Sequence, residues 1–170
     1  MPKFLRRGRG IKKGRLVRRM MGAFSLQIVA VFCFASNTAF GSEAKLERYE
    51  ITGDAIPKSL GGLKGDASRG EAIVLDRREG NCLICHRLPF ENEPFQGEIG
   101  PSLDGVGARL TEGRIRLRLV DESKINSETL MPPYYRTADL VNVAPEYQGE
   151  PALTAQQLED VVAYLSNLKE

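Results

Sequence analysis

Cys82-Leu83-Ile84-Cys85-His86 constrains this chain more than any other stretch of its 170 residues. The C-x-x-C-H spacing puts two thiols and an imidazole at positions i, i+3 and i+4, which share one face of a helical turn. It is the attachment signature of c-type haem. Two thiols add across the two vinyl groups while the adjacent imidazole points at the iron. His86 is the sole histidine of the chain. As proximal ligand it uses one ring nitrogen and leaves the other to donate to a backbone carbonyl. Pro101, in Gly100-Pro101, is the expected source of that carbonyl. Three other uses of the thiols fit less well. A Cys82–Cys85 disulfide gives His86 no role. Structural zinc wants four ligands, and beyond residue 41 the chain offers no further Cys or His. A thioredoxin-type pair belongs with a βαβ pattern that the sequence lacks.

The second axial ligand follows by elimination. Haem iron takes His, Met, Cys and, less often, Tyr or Lys. With His86 and both cysteines used, and Met1, Met20 and Met21 near the amino terminus, Met131 is the remaining methionine. It stands in Leu130-Met131-Pro132-Pro133-Tyr134-Tyr135, where the prolines stiffen the backbone. Tyr134, Tyr135 or a lysine is the alternative ligand, and a gap-filling core residue is the alternative role for Met131. His/Met ligation raises the potential relative to two nitrogen ligands. It also leaves no open coordination position, which points to electron transfer. Arg109 is a candidate partner for a haem propionate, or else a solvated cation. Arg114, Arg116 and Arg118 form a basic cluster: a solvated face, or a contact to a partner or propionate.

Residues 1–41 read as an export signal. Nine Lys/Arg and no acid fall within residues 1–21, and residues 22–41 carry no charge. Residues 23–35 are apolar except for Ser25 and Gln27, and Ala39-Phe40-Gly41 offers small residues for cleavage before Ser42. The run is short for the ~20 residues of a spanning helix, which disfavours an uncut anchor. Cys33, behind Phe32, is a poor lipidation site. The expected location is the periplasm, with no membrane attachment after cleavage. Residues 42–170 hold 15 basic and 22 acidic side chains, a net of −7. That sign disfavours a nucleic-acid-binding core.

Within the exported part, residues 42–65 read as an irregular N-terminal arm and residues 66–170 as the haem-binding domain. A first helix is expected to follow Asp66 or Ser68 and to stop near Gly80. From Thr111 to about Asp121 the pattern suits a helix, although Ile115-Arg116-Leu117-Arg118-Leu119 also alternates like a strand. The cap at Thr111 favours helix. Thr154 and Gln157 form a capping box, after which Leu158, Val161, Val162, Leu165 and Leu168 recur on one helical face. The Gly- and Pro-rich segments 87–109 and 122–151 read as long loops. Such a mainly α chain has a thin core of its own and calls for a staple, metal or cofactor.

These residues support a resemblance. Residues 70–86, Gly100-Pro101-Ser102-Leu103-Asp104-Gly105-Val106-Gly107-Ala108-Arg109, Met131-Pro132-Pro133-Tyr134-Tyr135 and Glu159-Asp160-Val161-Val162-Ala163-Tyr164-Leu165 resemble class I cytochromes c. More closely, the set is similar to the SoxX family, the monohaem cytochrome subunits of the SoxAX complexes of sulfur-oxidising bacteria. Gly53-Asp54-Ala55-Ile56-Pro57, Arg69-Gly70-Glu71-Ala72-Ile73-Val74, Gly80-Asn81-Cys82-Leu83 and the methionine loop are the distinctive parts. The likeness spans residues 53–169.

The resemblance implies a class I cytochrome c fold, with short helices and long loops wrapped around one covalently bound haem c. It implies that the first helix crosses the last with Gly70 near Tyr164, and that His86 and Met131 are the axial ligands. It implies a heterodimer with a SoxA-like cytochrome subunit that oxidatively joins thiosulfate to a cysteine of a SoxYZ-like carrier protein. Electrons then pass to another cytochrome c. A free-standing periplasmic electron carrier is the alternative. Once haem is attached, residues 42–170 keep no free thiol. A covalent sulfur intermediate therefore belongs to the partner, and this subunit is the electron relay.

Overall fold

The structure is a computed structural model, and it describes residues 46–169. The export signal read at residues 1–41 lies outside the described residues. Four α-helices form in chain order: α1 (Ala67–Leu75), α2 (Val106–Arg109), α3 (Glu112–Asp121) and α4 (Ala155–Asn167). Short 3-10 turns fall at Leu60–Gly62, Cys82–Ile84, Glu122–Lys124 and Pro145–Tyr147. Among the described residues no strand forms, and one isolated bridge joins Thr52 to Ala55. The mainly α expectation holds.

Each long helix starts where a side chain can take an orphan N–H. Asp66 accepts from Arg69 N–H, Thr111 from Arg114 N–H, and Thr154 shares a reciprocal capping box with Gln157. The first helix is shorter than expected. Asp76 leaves helical geometry (φ −73°, ψ 120°). Its carboxylate accepts from Arg78 N–H at 2.6 Å and its carbonyl from Asn81 N–H at 2.9 Å. A short polar side chain that bonds nearby backbone competes with the helix. Gly80 instead lies against Ile73, whose carbonyl a Cβ would approach to 2.5 Å.

α1 crosses α4 at Gly70. A Cβ there would sit 2.0 Å from the Asp160 carbonyl and 2.8 Å from Tyr164 Cβ, so the two backbones touch where a side chain would hold them apart. This is the crossing that the resemblance implies. Leu158, Val161, Val162 and Leu165 of α4 are buried against Ile73 and Val74 of α1 and Ile115, Leu119 and Val120 of α3 in one cluster. Each such side chain contributes roughly 1.5–3 kcal/mol of transfer free energy.

The alternation in α3 has a structural cause. Arg116, in the middle of the run, is buried with the leucines around it. Its guanidinium makes a two-pronged contact with Glu159 of α4, at 2.7 and 2.8 Å, and donates to the Ile56 carbonyl at 2.8 Å. Glu159 also accepts from Leu60 N–H at 2.8 Å. The stretch read as an irregular arm is irregular in backbone, yet Ile56 and Leu60 are fully buried and tied to α3 and α4 through this pair. The basic cluster is thus largely neutralised within the chain. Arg114 pairs with Asp54, and Arg118 with Glu122 at 3.7 Å.

Candidate functional site

The thiol motif opens on Asn81, whose φ of +48° is left-handed, a conformation that Asn tolerates better than most residues. Cys82–Ile84 then turns tightly. Cys85 N–H and His86 N–H both donate to the Cys82 carbonyl, at 3.2 and 2.9 Å. Cys82 is buried, Cys85 and His86 are half-buried, and both thiols are free. The disulfide alternative is therefore not what the chain adopts. Burial pushes the Cys82 thiol up to about 11, against a smaller opposing contribution from the neighbouring Tyr134 hydroxyl. Among the described residues, no three His, Cys, Asp or Glu side chains converge on a common point.

The loop after the motif folds back over it. Gly97 N–H donates to the Leu83 carbonyl (2.8 Å), Gly100 N–H to Cys85 (2.7 Å) and Leu103 N–H to Arg87 (2.8 Å). Gly100 lies flat against the imidazole: a Cβ would stand 2.3 Å from His86 Cε1. The Pro101 carbonyl lies 2.7 Å from His86 Nδ1. A carbonyl can only accept, so Nδ1 bears the proton, and in the neutral ring Nε2 is the nitrogen with the free lone pair. That is the tautomer a metal-ligating imidazole needs.

A second layer fixes this carbonyl. Arg109 donates to the carbonyls of Ser102 (2.8 Å) and Asp104. Ser102 Oγ donates to the Asp104 carboxylate at 2.6 Å, and Arg87 pairs with the same oxygen at 3.3 Å. Hydrogen bonds from Ser102 and Arg87, with the added charge of Arg109, hold the Asp104 carboxyl below its usual range against some desolvation. From the sequence, Arg109 is a candidate for a haem propionate or for solvent; in the structure two of its guanidinium nitrogens serve backbone carbonyls of the Pro101 loop. Ser102, Asp104 and Arg87 were missed. Ser102 and Asp104 stand in a stretch that carries the family resemblance, and the Gly- and Pro-rich run marks a fixed turn, but neither says which polar side chains fasten it.

Met131 is half-buried and packs against the core cluster, its N–H donating to Thr129 Oγ1 at 3.1 Å. Three residues on, Tyr134 is fastened at three points. Its N–H donates to the Leu119 carbonyl (3.0 Å), its carbonyl accepts from Leu153 N–H (2.9 Å) and its hydroxyl donates to the Gly80 carbonyl (2.8 Å). Tyr135 is buried, and its hydroxyl accepts from Glu47 N–H at 2.9 Å. The Tyr134 link to Gly80 was not legible in the sequence.

The family model for cytochrome c matches residues 67–169. A cytochrome c-553-like protein of Synechocystis sp. is 31% identical over 123 residues, covering 72% of this chain and 95% of that protein. Among solved structures, a chain of SoxXA from P. pantotrophus is 34% identical with a TM-score of 0.66, covering 72% of this chain and 95% of its own length. The stretch matched by the family model contains the two thiols, the imidazole with its carbonyl partner and the methionine loop. On that match, and on two relatives covered almost end to end, this chain belongs to the cytochrome c family, whose work is electron transfer.

Proposed function

We propose that this chain is a periplasmic monohaem cytochrome c serving as the electron-transfer subunit of a heterodimeric SoxAX-type complex. One observation carries the reading: the 34% identity to a chain of SoxXA, at a TM-score of 0.66 and over 95% of that chain. The residues fit a covalently held haem. Free thiols at Cys82 and Cys85 would be its attachment points, and His86 Nε2 and Met131 Sδ would bind its iron. Ile84 and Leu130, sequence neighbours of Cys85 and Met131, stand 62% and 83% exposed, and Ile99, beside the Gly100 that faces His86, 68%. Apolar side chains left outside the core at a cofactor site are the ones a flat apolar ring covers.

Haem c supplies a one-electron iron couple. The chain's own part is to hold that couple in place and set its potential. The Pro101 carbonyl orients the imidazole and raises its basicity. Arg109 acts one step further back, by fixing the loop that presents Pro101. As a ligand, the thioether of Met131 would favour the reduced iron relative to a nitrogen ligand. Joining thiosulfate to a carrier thiol forms one S–S bond and releases two electrons and one proton. A subunit with one haem relays those electrons singly. With both thiols committed to haem, the sulfur chemistry falls to the SoxA-like partner and the SoxYZ-like carrier, and the electrons leave to another cytochrome c.

The similarity to a c-553-like cytochrome favours a second reading, a free-standing electron carrier. Purification from a native host separates the two. The complex predicts that a second haem protein co-purifies and that deleting this chain abolishes thiosulfate-dependent electron release. An isolated monomer, with thiosulfate turnover intact after deletion, would overturn the complex and leave the free carrier. For the ligand set, Met131→Ala is expected to keep the covalent haem and to lower the midpoint potential by about 0.1 V or more. An unchanged potential refutes Met131 as ligand.

A further inference from the structure

The two axial ligands proposed above stand on different loops, and neither loop is held by regular secondary structure. Residues 122–153 contain only two short 3-10 turns. The hydrogen bonds that fasten the Met131 end of this loop run to the end of α3 (Tyr134 to Leu119, Tyr135 to Val120), to the amino-terminal stretch (Glu47 to Tyr135) and to the buried Asp121 (from Arg136). Among the described residues, this loop meets residues 76–105, where the thiol motif and His86 lie, through the Tyr134 hydroxyl, which donates to the Gly80 carbonyl at 2.8 Å and lies beside the Cys82 thiol.

Both ends of that bond are stiff. Gly80 is wedged against the Ile73 carbonyl of α1, so the acceptor is referred to the helical frame. On the other side, Pro132 and Pro133 fix two successive φ angles between Met131 and Tyr134, so an anchor at Tyr134 is transmitted to the methionine. The neighbouring tyrosine differs. Tyr135 is the buried ring, and its hydroxyl meets the backbone of Glu47, away from the thiol motif in sequence.

Resting on the His86/Met131 reading, we propose that Tyr134 is the positioning residue for Met131: its hydroxyl clasps the methionine loop to Gly80 and so sets how firmly the thioether can be held opposite His86. The clasp gives the native thioether an advantage over any external ligand competing for the same position.

The experiment uses ferric holo-protein of the full exported chain and titrates it with imidazole, following loss of the thioether–iron charge-transfer band. Tyr134→Phe keeps the ring and removes only the hydroxyl; Tyr135→Phe is the matched control on the same loop. Loss of one intramolecular hydrogen bond is expected to make imidazole bind Tyr134→Phe about fivefold more tightly, with Tyr135→Phe unchanged. Thermal unfolding of both variants serves to separate a local from a global effect. Unaltered imidazole affinity in Tyr134→Phe, or an equal gain in both variants, overturns the clasp. If the parent protein shows no thioether band and Met131→Ala binds imidazole as the parent does, the axial reading itself fails, and the clasp with it.

Discussion

The α1–α4 crossing and the two loops that bear Cys82, His86 and Met131 belong to one chain but hold their shape by different means. The crossing is closed by its own side chains. Backbone touches backbone at Gly70, Leu158 and Val161 are wholly buried, and the Arg116–Glu159 pair ties in Ile56 and Leu60. The loops send Cys82, Leu83, Leu88 and Tyr135 into the core but leave much apolar surface outside it. Ile84, Phe95, Ile99, Leu130 and Val141 stand 62–85% exposed, and loop order comes from single hydrogen bonds such as Gly100 to Cys85 and Tyr134 to Gly80. A frame made of packed helices can exist before its cofactor. Loops with this much exposed apolar surface gain further packing with it.

The sharpest way to break this contrast is to prevent haem attachment. Cys82→Ala with Cys85→Ala should leave amides of residues 82–103 and 128–150 without exchange protection, while α1 and α4 keep measurable protection. Uniform protection, or uniform loss, would erase the difference between the regions. The next largest effect is in the frame. Arg116→Ala strands the buried Glu159 carboxylate and should cost about 3–5 kcal/mol in denaturant unfolding. Replacing the pair together, Arg116→Met with Glu159→Leu, should recover much of that loss, because breaking a buried pair costs more than removing it.

Gly70→Ala tests the crossing itself. With the Asp160 carbonyl 2.0 Å from the added carbon, the helices must move apart, at roughly 3 kcal/mol. The haem spectrum should change little, since the loops are fastened elsewhere. The smallest effect concerns Asp160, which is buried beneath Arg69. Burial alone would raise its pKa. Hydrogen bonds from Arg69, the Asp66 N–H and Gln156 outweigh that and hold it below the ordinary carboxylate value. A group depressed in the folded state stabilises above its unfolded pKa and loses that contribution as pH falls. Asp160→Asn should therefore cost roughly 1 kcal/mol at neutral pH, and the gap to the parent protein should close below about pH 4. A gap independent of pH would remove the charge from this account.

Much of the frame was legible. The caps at Asp66, Thr111 and Thr154 are local, since each side chain bonds a backbone N–H within three residues, and a local rule can be read locally. The reach of α1 was misjudged because Asp76, an Asx turn, ends it before the glycine does. Arg116 was grouped with its surface neighbours because spacing cannot show that Glu159, 43 residues on, waits to pair with it. At the site, the imidazole's carbonyl partner was read at Pro101, and the structure places that carbonyl 2.7 Å from Nδ1. The fastening of that carbonyl by Arg109, Ser102 and Asp104 was not.

The chain's order of residues determined which groups are available to hold a metal-centred cofactor: one histidine, two thiols three apart, and one methionine beyond the amino-terminal segment. Scarcity did that work, because covalent spacing and ligand type are properties of the chain before it folds. What packs against those groups and fastens the segments that carry them was decided only by the tertiary structure. The Gly100 face on the imidazole, the Tyr134 hydroxyl on Gly80 and the Arg116 guanidinium on Glu159 join residues 14 to 54 positions apart. Contacts of that range depend on the path of the whole backbone, and no local pattern encodes them.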